Sequence, residues 1–377
     1  MADRYIELEL LTAGSSFVRK IKPSTTDCTL RYNAASTAYL TIPAAHSAIP
    51  QLMVDGVRAA VWMVTENEGA PVQKERLMEG PVGDLYGDGP FGTVTIPVVD
   101  DFDWFWKVLG WQKPTAALNA QNVEYARYTG KTETRALAAI AANVTRLGLP
   151  WNVPASSGRG SDGTTEFRMH SLASRLIPIL TAARLQLTLE RNRATGMWDV
   201  GIRTGTTYSR PLTPQSGVLG AWRWKRQRPQ YTRMIAGGAG EGVDREFGRV
   251  INSTLETQLG RIMEGFDDSR MAEAGADLTI PAAEALAAAA GMSGIEATLR
   301  ESAWFRFGDA YRIGTKVTLQ AGAMTATDVI SEIQIRHNTT DGFVVTPKVG
   351  FTVDDPQAKL TRFVADLAAS VRTLERR

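Results

Sequence analysis

The chain has 377 residues, 44% of them hydrophobic and 22% charged, with a net charge of +2 and one cysteine, Cys28. That length accommodates roughly two to three domains with real cores, and the near-neutral balance gives no general attraction to nucleic acid, acidic substrates or membrane surfaces. A single cysteine excludes an intrachain disulfide and an all-cysteine metal site. Residues 1–30 lack the pattern of a signal peptide, and there is no run of about 18 apolar residues, so the chain reads as soluble and unprocessed, with no stable membrane insertion.

Residues 4–97 read as β-structure. Ile6, Leu8 and Leu10 alternate with Glu7 and Glu9, Leu40 and Ile42 lead to Pro43, and Asp55-Gly56 and Gly87-Asp88-Gly89-Pro90 mark turns. Asp100 to Leu109 packs Phe102, Trp104, Phe105, Trp106 and Val108 into a short span. Such a mixed aromatic run is expected to be a packed helix or elbow filling a core.

From Lys113 to Thr207 the period changes. Leu137, Ile140, Ala141, Val144 and Leu147 follow helical spacing, with Thr132 as the expected N-cap and Gly148 as the stop. A second helix is expected over 171–184, with Pro178 as a source of kinking. Leu185, Leu187 and Leu189 then form a strand, Arg193-Ala194-Thr195-Gly196 turns, and Trp198, Val200 and Ile202 return. The unit is a helix, helix, hairpin insertion between β-rich parts.

The chain is β again from Val218 through Trp222, Trp224, Tyr231 and Ile235 to a glycine cluster at 237–242. That cluster matches neither phosphate-loop spacing and is expected to be a turn or bulge. Residues 271–291 are alanine-rich and expected to be helical, with an interruption at Pro281. Val329, Ile333 and Ile335 alternate with Glu332, Gln334 and Arg336 in the last strands, and Asp341-Gly342 turns the chain back. Beyond Pro356, Leu360, Val364, Leu367, Val371 and Leu374 are spaced 4-3-4-3, a two-heptad seam expected to be buried against another chain or tail protein.

Catalytic vocabulary is sparse. None of His46, His170 and His337 has a metal-ligand neighbour at helical spacing, and Cys28 lies in a strand-like stretch without a nucleophile context. Asp100, Asp101 and Asp103, or Asp267 and Asp268, supply paired carboxylates of the kind a glycosidase needs, but read as solvated turn acids. The interval 200–240 holds seven basic residues and no acidic one: Arg203, Arg210, Arg223, Lys225, Arg226, Arg228 and Arg233. In a strand, Trp222 and Trp224 would face one way and Arg223 and Lys225 the other. Residues 241–277 reverse the balance with nine acids against four arginines, so a basic face meeting an acidic one, within or between chains, is favoured over nucleic-acid binding.

Three stretches carry a family resemblance: Met234 to Gly242 with Arg245, Arg261 to Arg270, and Tyr311-Arg312-Ile313-Gly314-Thr315-Lys316-Val317. Together they resemble the baseplate hub, or minor tail, proteins of long-tailed, siphovirus-type actinobacteriophages. Ile262-Met263 departs from that family's more usual hydrophobic-arginine pairing. The resemblance implies an α+β, β-rich fold with two tail-tube-like β-barrel domains, an inserted α/β region and a C-terminal helix. The divisions would be 1–112 for the first barrel, 113–217 for the peripheral α/β insertion, 218–353 for the second barrel with the alanine-rich helix, and 354–377 for the terminal amphipathic helix.

The resemblance also implies a homotrimer at the distal end of the tail, joining the sixfold tube to a threefold tip. Its partners would be the distal tail protein, tail tube, tape-measure protein and tip or receptor-binding proteins, with phage DNA passing through without specific binding. Any lytic or fibre domain would be a separate polypeptide. No cofactor, metal or catalytic residue is expected, and the interface candidates are Arg223, Lys225, Arg226, Arg228, Leu360, Val364, Leu367, Val371 and Leu374. Two other functions compete: a tail-associated cell-wall hydrolase, and a carbohydrate- or receptor-binding module using the tryptophans of 104–111.

Overall fold

The computed structural model describes residues 3–350 apart from 90, 271–274, 290–291, 323 and 339, and describes only the backbone of 225–227, 284, 288 and 292–295. The terminal heptad stripe expected at 360–374 lies outside the described residues. Among those described, no helix is long and apolar enough to cross a membrane.

Strands from residues 25–99 and 219–349 form one long sheet. In Thr25–Arg31 the side chains of Thr26, Cys28 and Leu30 point inward while their neighbours point out, the signature of a half-buried strand. The strand pairs antiparallel with Met324–Asn338, Leu30 opposite Ile333 and Cys28 opposite Ile335. The expected alternation holds for Ile333 and Ile335, but Ile330 is buried too, on the opposite parity. The pairing of Met324–Asn338 with Gly342–Val349 shifts register between Ile330 and Glu332, and this bulge at Ser331 restores the inward direction.

The long sheet runs in the order Leu219–Gln227, Met292–Leu299, Gly342–Val349, Met324–Asn338, Thr25–Arg31, Thr37–Pro43, Thr93–Val99 and Tyr86–Gly87, with Lys316–Ala321 also on Met324–Asn338. A second sheet, Phe17–Ile21, Asp3–Leu11, Arg58–Glu66 and Gln73–Pro81, shares its core. Ile6, Leu8, Leu40, Ile96, Ile333 and Ile335 meet there, each fully buried. Loop 301–315 closes this core with Phe305 stacked on Tyr311, ring centres 4.3 Å apart.

Residues 101–204 build a second core. The aromatic run is a 3-10 turn, Asp101–Asp103, and a helical turn, Trp104–Lys107. Phe105 is buried, and Trp104 packs edge-on against Trp151 and Trp198, so the run fills a core as expected. Helix Thr132–Leu147 ends at Gly148 in the left-handed conformation the sequence signalled. Thr132, however, is its first residue and not its cap: Lys131 holds that position, and the Thr132 hydroxyl donates to the Ser161 carbonyl. Ser171 caps helix Leu172–Ala182 by accepting from the Ser174 amide, and Pro178 sits inside the helix. The hairpin Leu185–Asn192 and Met197–Thr204 forms as expected.

The described residues of 228–289 form a small head at the tip of a two-stranded ribbon, Leu219–Gln227 paired with Met292–Leu299. Its three strands, Arg233–Gly237, Phe247–Ile251 and Glu264–Asp268, are backed by helix Thr279–Ala288. The expected break at Pro281 does not occur. Proline is the third residue of that helix, inside the first turn, where its missing N–H has no helical partner to lose.

Asn33 joins the two larger cores. It is buried with φ +52°, donates to the Leu185 carbonyl at 2.9 Å and the Thr181 hydroxyl at 3.0 Å, and accepts from the Leu187 amide at 2.7 Å. Asn33→Ala is expected to destabilise the protein by about 3 kcal/mol, because buried backbone groups lose their partner. Asn33→Gly suits the left-handed backbone and should recover only about 1 kcal/mol of that loss. Urea denaturation of both variants checks this.

Candidate functional site

Leu219–Gln227 is the outer strand of the long sheet. Trp222 lies opposite Ala297 and Trp224 opposite Ile295, whereas Arg223 lies opposite Glu296. Directly opposed residues share a face, so the indoles and Arg223 take opposite sides, as the alternation requires. Trp224 is 54% exposed and Trp222 38%. The backbone of Lys225 and Arg226 continues the strand, and Arg228 is exposed just past it. The structure therefore brings the four basic candidates to one edge. Part of the basic interval meets acids within the chain: Arg233 grips Glu256 with two hydrogen bonds, and Arg203 reaches Glu190 at 3.1 Å.

The head brings two of the sequence motifs together. Arg245, just past the glycine cluster, donates to the Gly237 carbonyl at 3.1 Å and pairs with Asp268 of the second motif. Its guanidinium carbon lies 5.3 Å from the Phe266 ring centre and 5.8 Å from that of Phe247. A Cβ on Gly237 would stand 2.6 Å from the end of Arg245 and 2.7 Å from the end of the Phe266 ring, so a larger residue there would push this platform aside. The glycine cluster itself is a turn, with Gly238 and Glu246 bonded across it. Sequence spacing gave no sign that Arg245 and Asp268 meet, since the contact spans two strands.

Ions hold the 185–204 hairpin to the second sheet. Arg58 lies 2.6 Å from Asp101 and 3.7 Å from Glu79, and Arg193 reaches Glu79 at 3.0 Å and Glu9 at 2.8 Å. Trp198 donates its indole N–H to Asp101 at 2.8 Å, while Arg191 lies 3.7 Å over the Trp198 ring. Asp101 is thus a buried structural ion and not the solvated turn acid expected, with the Asp100 carboxyl close enough to feel its charge. Asp100 is half-buried with its Oδ1 shut away from solvent and unpartnered, and the loss of solvent pushes its carboxyl up to about 7. Cys28 is fully buried and its thiol is pushed well above the ordinary value by burial, which removes the thiolate a cysteine nucleophile needs.

The outward face of the long sheet carries a cross-strand ladder of charges. Lys348 reaches Glu332 at 2.6 Å, Glu332 faces Arg31 at 3.7 Å, and Asp27 takes Gln334 at 3.0 Å and Arg336 at 3.4 Å. These cations face carboxylates already on the protein, so the ladder has little surplus charge to hold a polyanion. Among the described residues, no three of His, Cys, Asp and Glu converge to hold a metal ion.

This architecture is the fold of phage and prophage tail proteins. The chain matches the 43 kDa tail protein of prophage MuSo2 from Shewanella oneidensis with a TM-score of 0.54 and 14% identity, over 92% of this chain and 98% of that one. It matches prophage tail protein gp18 from Listeria monocytogenes at 0.51 and 8%, over 97% and 99%. A chain of the Francisella PdpA–VgrG complex matches at 0.50 and 10%, over 93% of this chain and 58% of that one. No curated protein is a significant match. The chain belongs to the Siphovirus ReqiPepy6 Gp37-like protein family, whose model matches residues 22–351.

Gly237→Ala is expected to displace Phe266 and Arg245. Hydrogen exchange should show faster exchange over 233–268, with 25–31 and 324–338 unchanged. Asp100 gives a pH test. Its folded carboxyl holds its proton up to about 7, against an ordinary value of 3.8, so its effect is a loss of stability as pH rises between those values. Asp100→Asn should remove that loss, leaving the variant more stable than the parent at pH 8 and closer to it at pH 4 in denaturant titrations.

Proposed function

We propose that the chain is a non-catalytic structural subunit of the phage tail, a trimeric hub at its distal end. The observation that carries the reading is the path of the long sheet. At the pairing of Thr25–Arg31 with Met324–Asn338 it divides into a half of four strands from residues 25–99 and a half of five from residues 219–349, four on the main path and Lys316–Ala321 beside them. Three copies would offer six such halves to a sixfold tube, converting its symmetry to that of a threefold tip. On this reading the halves belong to two barrel-like units within 1–112 and 218–353, and 113–217 stands at the periphery. The charge ladder would face the channel, letting DNA pass without specific binding.

The basic edge of Arg223, Lys225, Arg226 and Arg228 would meet an acidic surface on a neighbouring copy or on the distal tail, tube, tape-measure or tip proteins. Exposed pairs contribute about 0.2 to 1 kcal/mol each, so several must act together. Native mass measurement across concentrations should give three copies, and assembly should weaken as salt shortens the Debye length below ~8 Å. A monomer at every concentration, or a sixfold ring, would overturn the trimer, and digestion of host cell walls in a zymogram would overturn the non-catalytic part.

A further inference from the structure

The head sheet is three strands wide, and both of its margins are open. Phe247–Ile251 and Glu264–Asp268 flank Arg233–Gly237, and no strand among the described residues pairs with the outer side of either. The hydrogen bonds show which backbone groups are left over. Gly238 donates to the Glu246 carbonyl and Asn252 to that of Thr232, so the even-numbered residues of Phe247–Ile251 bond inward. Phe247, Arg249 and Ile251 therefore turn their N–H and C=O groups outward. On the other margin Arg233 donates to the Met263 carbonyl, which leaves the backbone groups of Glu264, Phe266 and Asp268 outward. All six residues are exposed. An open edge is a template for another strand.

The two edges fit each other and not themselves. Laid antiparallel with Phe266 opposite Phe247, they bring Glu264 opposite Arg249 and the exposed Ile262 opposite Ile251. Aromatic, opposite-charge and β-branched pairs of this kind stabilise a sheet. Glu264 and Arg249 feel Arg233 and Glu256 respectively, but those two are already paired with each other. Like edges match badly. Two copies of Phe247–Ile251 centred on one another set Arg249 against Arg249, and two of Glu264–Asp268 set Glu264 against Asp268, and like charges directly opposite are destabilising. Within one chain the two edges cannot meet, because Arg233–Gly237 holds them two strand spacings, about 10 Å, apart.

We propose that the head joins neighbouring copies of this chain by sheet extension, Glu264–Asp268 of one copy pairing antiparallel with Phe247–Ile251 of the next. The proposal deepens the ring reading and rests on it, since a contact between unlike edges repeats from copy to copy and closes in a ring of three. Strand directions suit this arrangement. Glu264–Asp268 runs parallel to Arg233–Gly237 and Phe247–Ile251 antiparallel to it, so heads standing side by side in one orientation meet antiparallel. The register also gives a reason for the charges set among the aromatic side chains: Arg249 and Glu264 each stand where the opposite charge arrives on the next copy.

The test puts cysteines at 249 and 264 of the full-length chain, whose own Cys28 is buried. A directly opposed, hydrogen-bonded pair has its Cα atoms about 5.5 Å apart, within disulfide range. Arg249→Cys/Glu264→Cys is expected to give disulfide-linked dimers and trimers on non-reducing gels after mild oxidation, and Ile251→Cys/Glu264→Cys far fewer. Arg249→Glu should raise the concentration at which native mass shows trimers by about tenfold, and Arg249→Glu/Glu264→Arg should bring it back. Circular dichroism should stay that of the parent, since every substituted position is exposed. Trimers without the disulfide would overturn the edge pairing and leave the ring standing. Equal linking by the two cysteine pairs, links from Arg249→Cys alone, or no recovery in the charge swap would overturn the pairing too. Monomers at every concentration would remove both readings.

Discussion

The pairing of Thr25–Arg31 with Met324–Asn338 is the contact on which the other parts depend. It joins segments about three hundred residues apart in sequence, so loop closure opposes it, and its stability must come from what it buries. Cys28, Leu30, Ile333 and Ile335 enter the core together with both sheets, and hydrogen bonds along the pair satisfy the backbone. Once the ends are fixed in one sheet, the intervening chain has to leave and return at that sheet's margins. The α/β unit leaves after Thr93–Val99, and the head departs from the far end of the ribbon.

Attachment of the two appendages differs in kind. The α/β unit is tied down by Asn33 and by the Arg58, Asp101, Glu79 and Arg193 cluster. Burying such ions is costly, and replacing them with hydrophobic residues often stabilises a protein. Their retention here fits orientation better than strength: charges with few geometric solutions fix the hairpin at one angle. The head instead depends on its ribbon and on a few buried side chains.

Local pattern in the sequence reaches as far as local structure. The Leu137 to Leu147 helix, its Gly148 stop, the 185–204 hairpin and the Trp222 and Arg223 alternation follow from period and turn chemistry, because short-range geometry decides them. Thr132 misled because its hydroxyl found a better partner in Ser161, and Pro281 because a helix start tolerates proline. Composition is silent on contacts across strands, such as Arg245 with Asp268 or Arg58 with Asp101. For the candidate interface, sequence marked the basic edge but not the aromatic platform of Phe247 and Phe266, whose register no local pattern encodes.

The single thiol acquires a use from its position. Cys28 sits inside the pairing of the two chain ends, opposite Ile335 and 3.9 Å from the Met78 sulfur, with no solvent access. An exposed thiolate attacks thiol reagents, so Cys28 reacts only when the core around that pairing opens. Its alkylation rate in native buffer is therefore a clock for that opening, already present in the natural sequence. Local fraying elsewhere leaves the clock still.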